Sequence, residues 1–218
     1  MKAVILAAGK GTRMKELTLD TPKPLLHYQN KTLIEHKLEA LPEHIKEVVL
    51  VIGYLGDKIK AYFGDTWKDK KIHYVEQKEM LGTAHALFET RHLLDEPFIV
   101  LMGDDLYGKE DMELLSKQDG WAILVEVSKE AQTGGKIAMD DFGNLKEIVE
   151  DKEGKSGGLI YTGACVLTPD IFELKMSQLP NSREFGLPQT FAQAARTRPI
   201  KIHHAKFWKR ITSPEDVL

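Results

Sequence analysis

The chain has 218 residues, of which 42% are hydrophobic and 29% charged, and its net charge is −3. This length and composition predict a large single domain with a substantial core, and the charge excludes a general basic surface for nucleic acid, so phosphate recognition must be local. The single cysteine, Cys165, excludes a disulfide framework within the chain, and no apolar run reaches the ~18 residues of a transmembrane helix, so we expect a cytoplasmic protein that binds no membrane.

The chain begins with a predicted buried strand at residues 3–6, which leads into a glycine turn. The strand sequence, AVIL, is short and apolar, and the small residues AAG follow at 7–9. Small side chains after a strand let the backbone approach a ligand and offer its N–H groups to an anion. The stretch therefore predicts an anion site directly after the first strand.

Three cations accompany this turn: Lys10, Arg13 and Lys23. Pro22 and Pro24 flank Lys23 and are expected to hold it in an extended segment. A glycine turn with converging cations supplies the charge neutralisation and directional donors that a polyphosphate needs. The spacing fits neither a Walker A loop nor a dinucleotide fingerprint, because no Gly-Lys pair follows Gly9 at the required distance and the third glycine is missing.

Strands and helices alternate through the first half of the chain, which predicts an α/β fold with a mainly parallel sheet. The second half is richer in strands and predicts a partly antiparallel region. In the first half we expect further strands at 47–52, 71–75 and 98–102 and helices after the capping-box residue Thr32 and at 57–63 and 82–93. In the second half we expect strands at 121–127, 136–139, 145–149 and 159–167 and helices after Pro169 and at 187–195.

Two further stretches carry candidate site residues. Gln77, Gly82 and Thr83 form a Q-x-x-x-x-G-T-A segment, in which an amide that can donate and accept precedes a glycine against which a nucleobase could lie. Asp104 follows the apolar strand at 98–102, where ligands gather in open α/β sheets. A carboxylate beside a triphosphate needs a cation between them, so Asp104 predicts a Mg²⁺ site.

The string L-A-A-G-x-G-T-R-M followed by T-P-K-P-L-L resembles the signature of the sugar-1-phosphate nucleotidylyltransferases. The resemblance implies a Rossmann-like mixed sheet flanked by helices, with a smaller, partly antiparallel sugar-side region. It implies a single domain over 1–218, with a nucleotide-binding half at 1–120, a sugar-phosphate-binding half at 121–218 and no C-terminal β-helix domain. The implied reaction joins an NTP (UTP, dTTP or GTP) to a sugar 1-phosphate and releases pyrophosphate with the help of Mg²⁺.

The same resemblance assigns roles to individual residues. Arg13 would hold the departing β- and γ-phosphates, Lys23 would bridge the α-phosphate and the sugar phosphate, and Asp104 would bind Mg²⁺. Asp105, next to it, would point the other way if the strand continues, so we expect it to be structural or to support the residues that contact the ligand. The nucleotide-binding residues would be Leu6, Ala7, Ala8, Gly9, Gly11, Thr12, Gln77, Gly82 and Thr83.

The sugar-side match is looser and contains two departures. Asp151 stands where the family has a lysine for the sugar phosphate, and Arg210 stands where the family motif W-x-D-I-x-T-P-E-D has a metal-binding aspartate. These departures leave two alternatives open: a non-sugar phosphate acceptor, or a regulatory relative that binds nucleotide sugars without turnover. A homo-oligomer is compatible with the sequence. The sugar-phosphate-binding residues would be Gly135, Glu150, Lys152, Thr162 and Gly163.

Overall fold

A large mixed sheet is the framework of the protein. This computed structural model describes residues 1–128, 134–151 and 157–217. The predicted α/β fold is confirmed, because helices cover the central parallel strands of this sheet. The strands are β1 (Lys2–Ala7), β2 (His27–Tyr28), β3 (Lys31–Thr32), β4 (Glu47–Ile52), β5 (Thr66–Trp67), β6 (Lys70–Glu76), β7 (Phe98–Met102), β8 (Leu106–Tyr107), β9 (Ala122–Ser128), β10 (Gly134–Met139), β11 (Leu145–Asp151), β12 (Gly158–Leu167), β13 (Ser177–Gln178), β14 (Phe185–Gly186), β15 (Lys201–His204) and β16 (Trp208–Lys209). The helices are α1 (Leu33–Ala40), α2 (Gly56–Phe63), α3 (Thr83–Phe88), α4 (Lys109–Ser116) and α5 (Leu187–Ala192).

Strand β1 lies at the centre of the sheet, parallel to β4 on one side and to β7 on the other. Because both faces of a parallel sheet are covered, its central strands are apolar throughout rather than alternating. Val4 and Leu6 pack into one hydrophobic cluster, while Ala3 and Ile5 pack into another. The apolar run that predicted this strand thus fills two cores at once.

The second half of the chain joins the same sheet through β12, which pairs antiparallel with β7. Strands β9 and β10 pair antiparallel with β12, and β11 pairs antiparallel with β10. The predicted change to antiparallel pairing is therefore confirmed, although β15 pairs parallel with β9. In the described part of the chain, no helix is long and apolar enough to cross a membrane.

Local structure differs from the sequence expectation at several places. The segment after Pro169 forms a 3-10 turn, Pro169–Glu173, instead of the expected helix, and the helix expected at 187–195 ends at Ala192. The helix expected at 82–93 ends at Phe88, and a separate 3-10 turn covers Arg91–Leu93. Lys23 opens a 3-10 turn, Lys23–Leu25, instead of lying in an extended segment, since Pro24 is compatible with a first helical turn and Leu26 N donates to Lys23 O at 3.0 Å. Helix α4 was not predicted.

The parallel strands end at the same edge of the sheet. The loop after β1, Gln77 after β6 and the Gly103–Asp104 pair after β7 all follow strands that run in the same direction. The carboxyl ends of parallel strands are where open α/β sheets bind ligands. This edge is therefore the first place to look for a site.

Candidate active site

A cavity of about 490 Å³, here called the first cavity, lies at this edge between the loop after β1 and the start of α3. Its wall consists mostly of backbone and small side chains, so a ligand can approach the main chain closely. Lys10, one of the three cations expected at this turn, also lines the cavity, and Met80 and Glu184 add side chains that the sequence did not predict there. All of the predicted nucleotide-binding residues line it: Leu6, Ala7, Ala8, Gly9, Gly11, Thr12, Gln77, Gly82 and Thr83.

Lys23 is the fixed cation of the first cavity. It is only 7% exposed, and its Nζ donates hydrogen bonds to Asp104 Oδ2 at 2.7 Å and to Ile211 O at 2.5 Å. The stem packs against Gly11, where a Cβ would lie 2.8 Å from the Cβ of Lys23. A buried ammonium with directional partners keeps its position without further reorganisation.

A second cavity of about 280 Å³ adjoins the first, because Thr83, Met102 and Asp104 line both. The structure places Arg13 on this second cavity, together with Arg210. Both arginines are exposed, and neither has an ion-pair partner among the described residues. The second cavity therefore carries guanidinium charge that is available to an anionic ligand.

Thr162 and Gly163 also line the second cavity, but each has a packing role. The Thr162 hydroxyl donates to Leu124 O at 2.9 Å, and Tyr107 donates from its hydroxyl to Thr162 O at 3.0 Å. Gly163 has a φ of +86°, and a Cβ there would lie 2.3 Å from Cγ of Met102. Packing and backbone conformation therefore require a glycine at position 163, independently of any ligand in the second cavity.

Two of the remaining predicted sugar-phosphate residues lie on the antiparallel pair of strands β10 and β11. Gly135 and Glu150 stand opposite each other in the ladder between β10 and β11. Lys152 lies outside the described residues. Their predicted roles stay predictions.

The segment 208–212, here called the C-terminal strap, closes one side of the site. Asp105 accepts hydrogen bonds from Trp208 Nε1 at 3.1 Å and from Ile211 N at 3.4 Å. Lys23 binds the carbonyl of the same Ile211 from the other side. The strap is thus held between the two site residues, and Asp105 has the structural role predicted for it.

A buried lysine that the sequence analysis missed lies beneath this contact. Lys37 is fully buried on α1, and its Nζ donates to Leu33 O at 2.9 Å. Burial lowers the pKa of Lys37 to about 7, against the attraction of Asp104 and Asp105. Burial and the charge of Asp104 raise the pKa of Asp105 to about 7.

Asp104 is the residue that could hold a metal ion. Within the described residues, no group of three or more His, Cys, Asp or Glu side chains has the arrangement of a metal site. One oxygen of Asp104 faces Lys23, and the side chain is 36% exposed. Because Mg²⁺ is often held by one or two carboxylates together with substrate phosphates, this donor set fits a magnesium ion that arrives with a triphosphate.

Comparison with known proteins finds the family and the fold that the sequence motifs predict. The family model described as nucleotidyl transferase matches residues 2–209. UTP–glucose-1-phosphate uridylyltransferase AglF of Haloferax volcanii is 32% identical over 99% of this chain and 93% of its own length. Bifunctional protein GlmU of Methanocaldococcus jannaschii is 29% identical, and this chain spans 53% of its length. A crystal structure of UDP-glucose pyrophosphorylase with UDP-glucose superposes with a TM-score of 0.81 at 26% identity, over 96% of this chain and 91% of that one.

Proposed function

The chain belongs to the nucleotidyl transferase family, and we propose that it joins a nucleoside triphosphate to a sugar 1-phosphate, giving a nucleoside diphosphate sugar and pyrophosphate. The observation that carries this proposal is the junction of the two cavities. Asp104 lines both, and Nζ of Lys23 lies 2.7 Å from its Oδ2. Phosphates that enter from either cavity come together beside one fixed cation.

The proposed reaction is an in-line displacement at the α-phosphorus. An anionic oxygen of the sugar phosphate forms the new P–O bond while the bond from the α-phosphorus to the bridging oxygen of the β-phosphate breaks. The electron pair leaves with pyrophosphate. No general base is required, because the nucleophile is already an anion, so positioning and charge neutralisation supply most of the rate.

The residues of the site divide this work between them. The first cavity would hold the triphosphate against the backbone of residues 8–12, and Lys23 would neutralise charge between the α-phosphate and the sugar phosphate. Arg13 follows this loop but lines the second cavity, so we propose that it binds phosphate oxygens at the boundary. Mg²⁺ held by Asp104 and phosphate oxygens would add positive charge to the triphosphate.

We also propose that the base is one of uracil, thymine or guanine and that the reaction takes place in the cytoplasm. The name of the Haloferax relative favours UTP and glucose 1-phosphate as the first pair to test. A non-sugar phosphate acceptor is the nearest alternative, because the predicted sugar-side residues are those that the structure supports least.

The test is release of pyrophosphate in the presence of Mg²⁺. UTP, dTTP, GTP, CTP and ATP are each combined with several sugar 1-phosphates, and with other phosphorylated alcohols as acceptors. We expect pyrophosphate to be released when a nucleoside triphosphate of one base class is combined with a sugar 1-phosphate. Pyrophosphate release only with a non-sugar phosphate would show that the acceptor is not a sugar 1-phosphate.

A second candidate is a protein that binds nucleotide sugars without turnover, and Arg210 is the observation that favours it. The arginine occupies the position expected for a metal-binding aspartate, and arginine cannot coordinate Mg²⁺. Folded protein that binds a nucleotide sugar, seen as a thermal shift, but releases no pyrophosphate with any pair would favour this candidate. The variant Arg210→Asp would then be the first to test for gain of activity.

A further inference from the structure

The amide of Gln77 has a fixed orientation at the wall of the first cavity. Gln77 is 5% exposed, and its Nε2 lies 3.0 Å from Gly82 O and 3.1 Å from Nδ1 of His85. A backbone carbonyl can only accept a hydrogen bond, so the atom that faces Gly82 must be the NH₂ group. Both amide hydrogens then have protein acceptors, and Gln77 can offer a ligand only its oxygen.

The same contacts determine the tautomer of His85. Because Nδ1 accepts from Gln77, the proton of a neutral imidazole is on Nε2. That nitrogen faces Oε1 of Glu89 at 3.4 Å, one helical turn further along the chain. Glu89, His85 and Gln77 thus form a line of polar contacts that ends at the wall of the first cavity.

We propose that His85 is a positioning residue that holds Gln77 as a pure acceptor toward the base, and so favours a base that presents a ring N–H. The inference rests on the proposed function, since it needs a nucleoside triphosphate in the first cavity. Uracil and thymine present N3–H, and guanine presents N1–H, to such an acceptor. Cytosine and adenine carry a lone pair at the matching ring nitrogen and would face the oxygen of Gln77 unfavourably.

His85 itself lies behind Gln77, and its side chain is 19% exposed. It is absent from the wall of the first cavity, which the described residues Gln77, Gly82 and Thr83 line. An effect of His85 on base selectivity would therefore pass through Gln77. A role in packing alone would change stability and leave the ratio between two nucleotides unchanged.

The test is equilibrium binding of UTP and of CTP to the whole chain by titration calorimetry. Wild-type protein is compared with His85→Phe, which keeps a ring but removes the acceptor, and with His85→Asn, whose side-chain oxygen can replace Nδ1. His92→Phe, an exposed histidine in the following 3-10 turn, is the matched control. We expect wild type to bind UTP at least about tenfold more tightly than CTP, the scale of one buried hydrogen bond.

His85→Phe should lower the UTP/CTP preference by about tenfold, while His85→Asn and His92→Phe should keep most of it. An unchanged preference in His85→Phe, or an equal loss in His85→Asn, would overturn the role of His85 and leave the proposed function intact. Failure of wild-type protein to bind any of the nucleoside triphosphates would overturn both.

Discussion

The two cavities meet at Asp104 but differ in how their charge is arranged. In the first cavity the cation is buried and already paired, since Lys23 contacts both Asp104 and the carbonyl of Ile211. In the second cavity Arg13 and Arg210 are exposed and have no carboxylate partner among the described residues. The first is organised before a ligand arrives, whereas the second has positive charge that an anionic acceptor would neutralise.

The largest effect should come from removing the cation at the junction. Lys23→Met keeps the stem that packs on Gly11 but removes the charge, and we expect kcat to fall about 10³-fold with a much smaller change in nucleotide affinity. Lys10→Met, which removes an exposed cation from the same cavity, is the comparison. Steady-state kinetics and nucleotide binding are measured on both. Near-normal kcat in Lys23→Met would remove this lysine from the chemistry.

The next effect concerns the buried residues Lys37 and Asp105 beside the junction of the two cavities. Lys37→Met leaves Asp105 buried without the cation that lowers its pKa, and we expect the free energy of unfolding to fall by about 3 kcal/mol in denaturant titrations. The pKa of Asp105 should rise further, since Lys37 is one of the groups that lower it. A double variant with Asp105→Asn should recover much of the loss. A single variant as stable as wild type would mean that the pair does not support the fold.

A smaller effect is expected in the second cavity. Arg210→Ala should raise KM for the acceptor by about tenfold and leave nucleotide binding unchanged, because its guanidinium lines only the second cavity. Lys209→Ala is the matched control, since its ammonium lies 4.3 Å from the ring of Tyr28. Weaker nucleotide binding in Arg210→Ala would show that the two cavities do not divide the substrates in this way.

The last prediction is a dependence of stability on pH. Between about pH 4 and 7 folded Asp105 keeps a proton that the unfolded chain releases, so raising the pH lowers stability. Between about pH 7 and 10 unfolded Lys37 keeps a proton that the folded chain lacks, so raising the pH increases stability. The stability of wild type relative to the double variant Lys37→Met, Asp105→Asn should therefore pass through a minimum near pH 7. A flat difference would show that the pair does not titrate there.

The first cavity could be predicted from the sequence because its residues lie in a few continuous stretches. The strand, the small residues and the glycine turn follow one another at the amino terminus, and parallel pairing brings Gln77 and Asp104 to the same edge. The fold class followed from the same alternation of apolar strands and amphipathic helices. Chain order and the geometry of parallel sheets predicted where the site lies, and the family resemblance supplied the individual nucleotide-binding residues.

The second cavity could not be predicted in the same way. Its wall combines the loop after β1, the middle of β12, the start of α5 and the C-terminal strap, which tertiary packing alone brings together. Lys37 was missed because a lysine on a helix is usually solvated, although Leu33, Ile34 and Leu38 around it are all fully buried. The position of His85 behind Gln77 was equally invisible, since the 3.1 Å contact depends on how α3 follows β6.

The central claim is that phosphates from both cavities meet beside Lys23, and the fate of the α-phosphorus tests it most directly. UTP that carries a radioactive α-phosphate is incubated with the protein, Mg²⁺ and glucose 1-phosphate, and the products are separated. The account predicts that the label appears in a UDP-sugar and that the released pyrophosphate is unlabelled. Label in pyrophosphate, or label that remains in UTP while the protein binds both substrates, would contradict it.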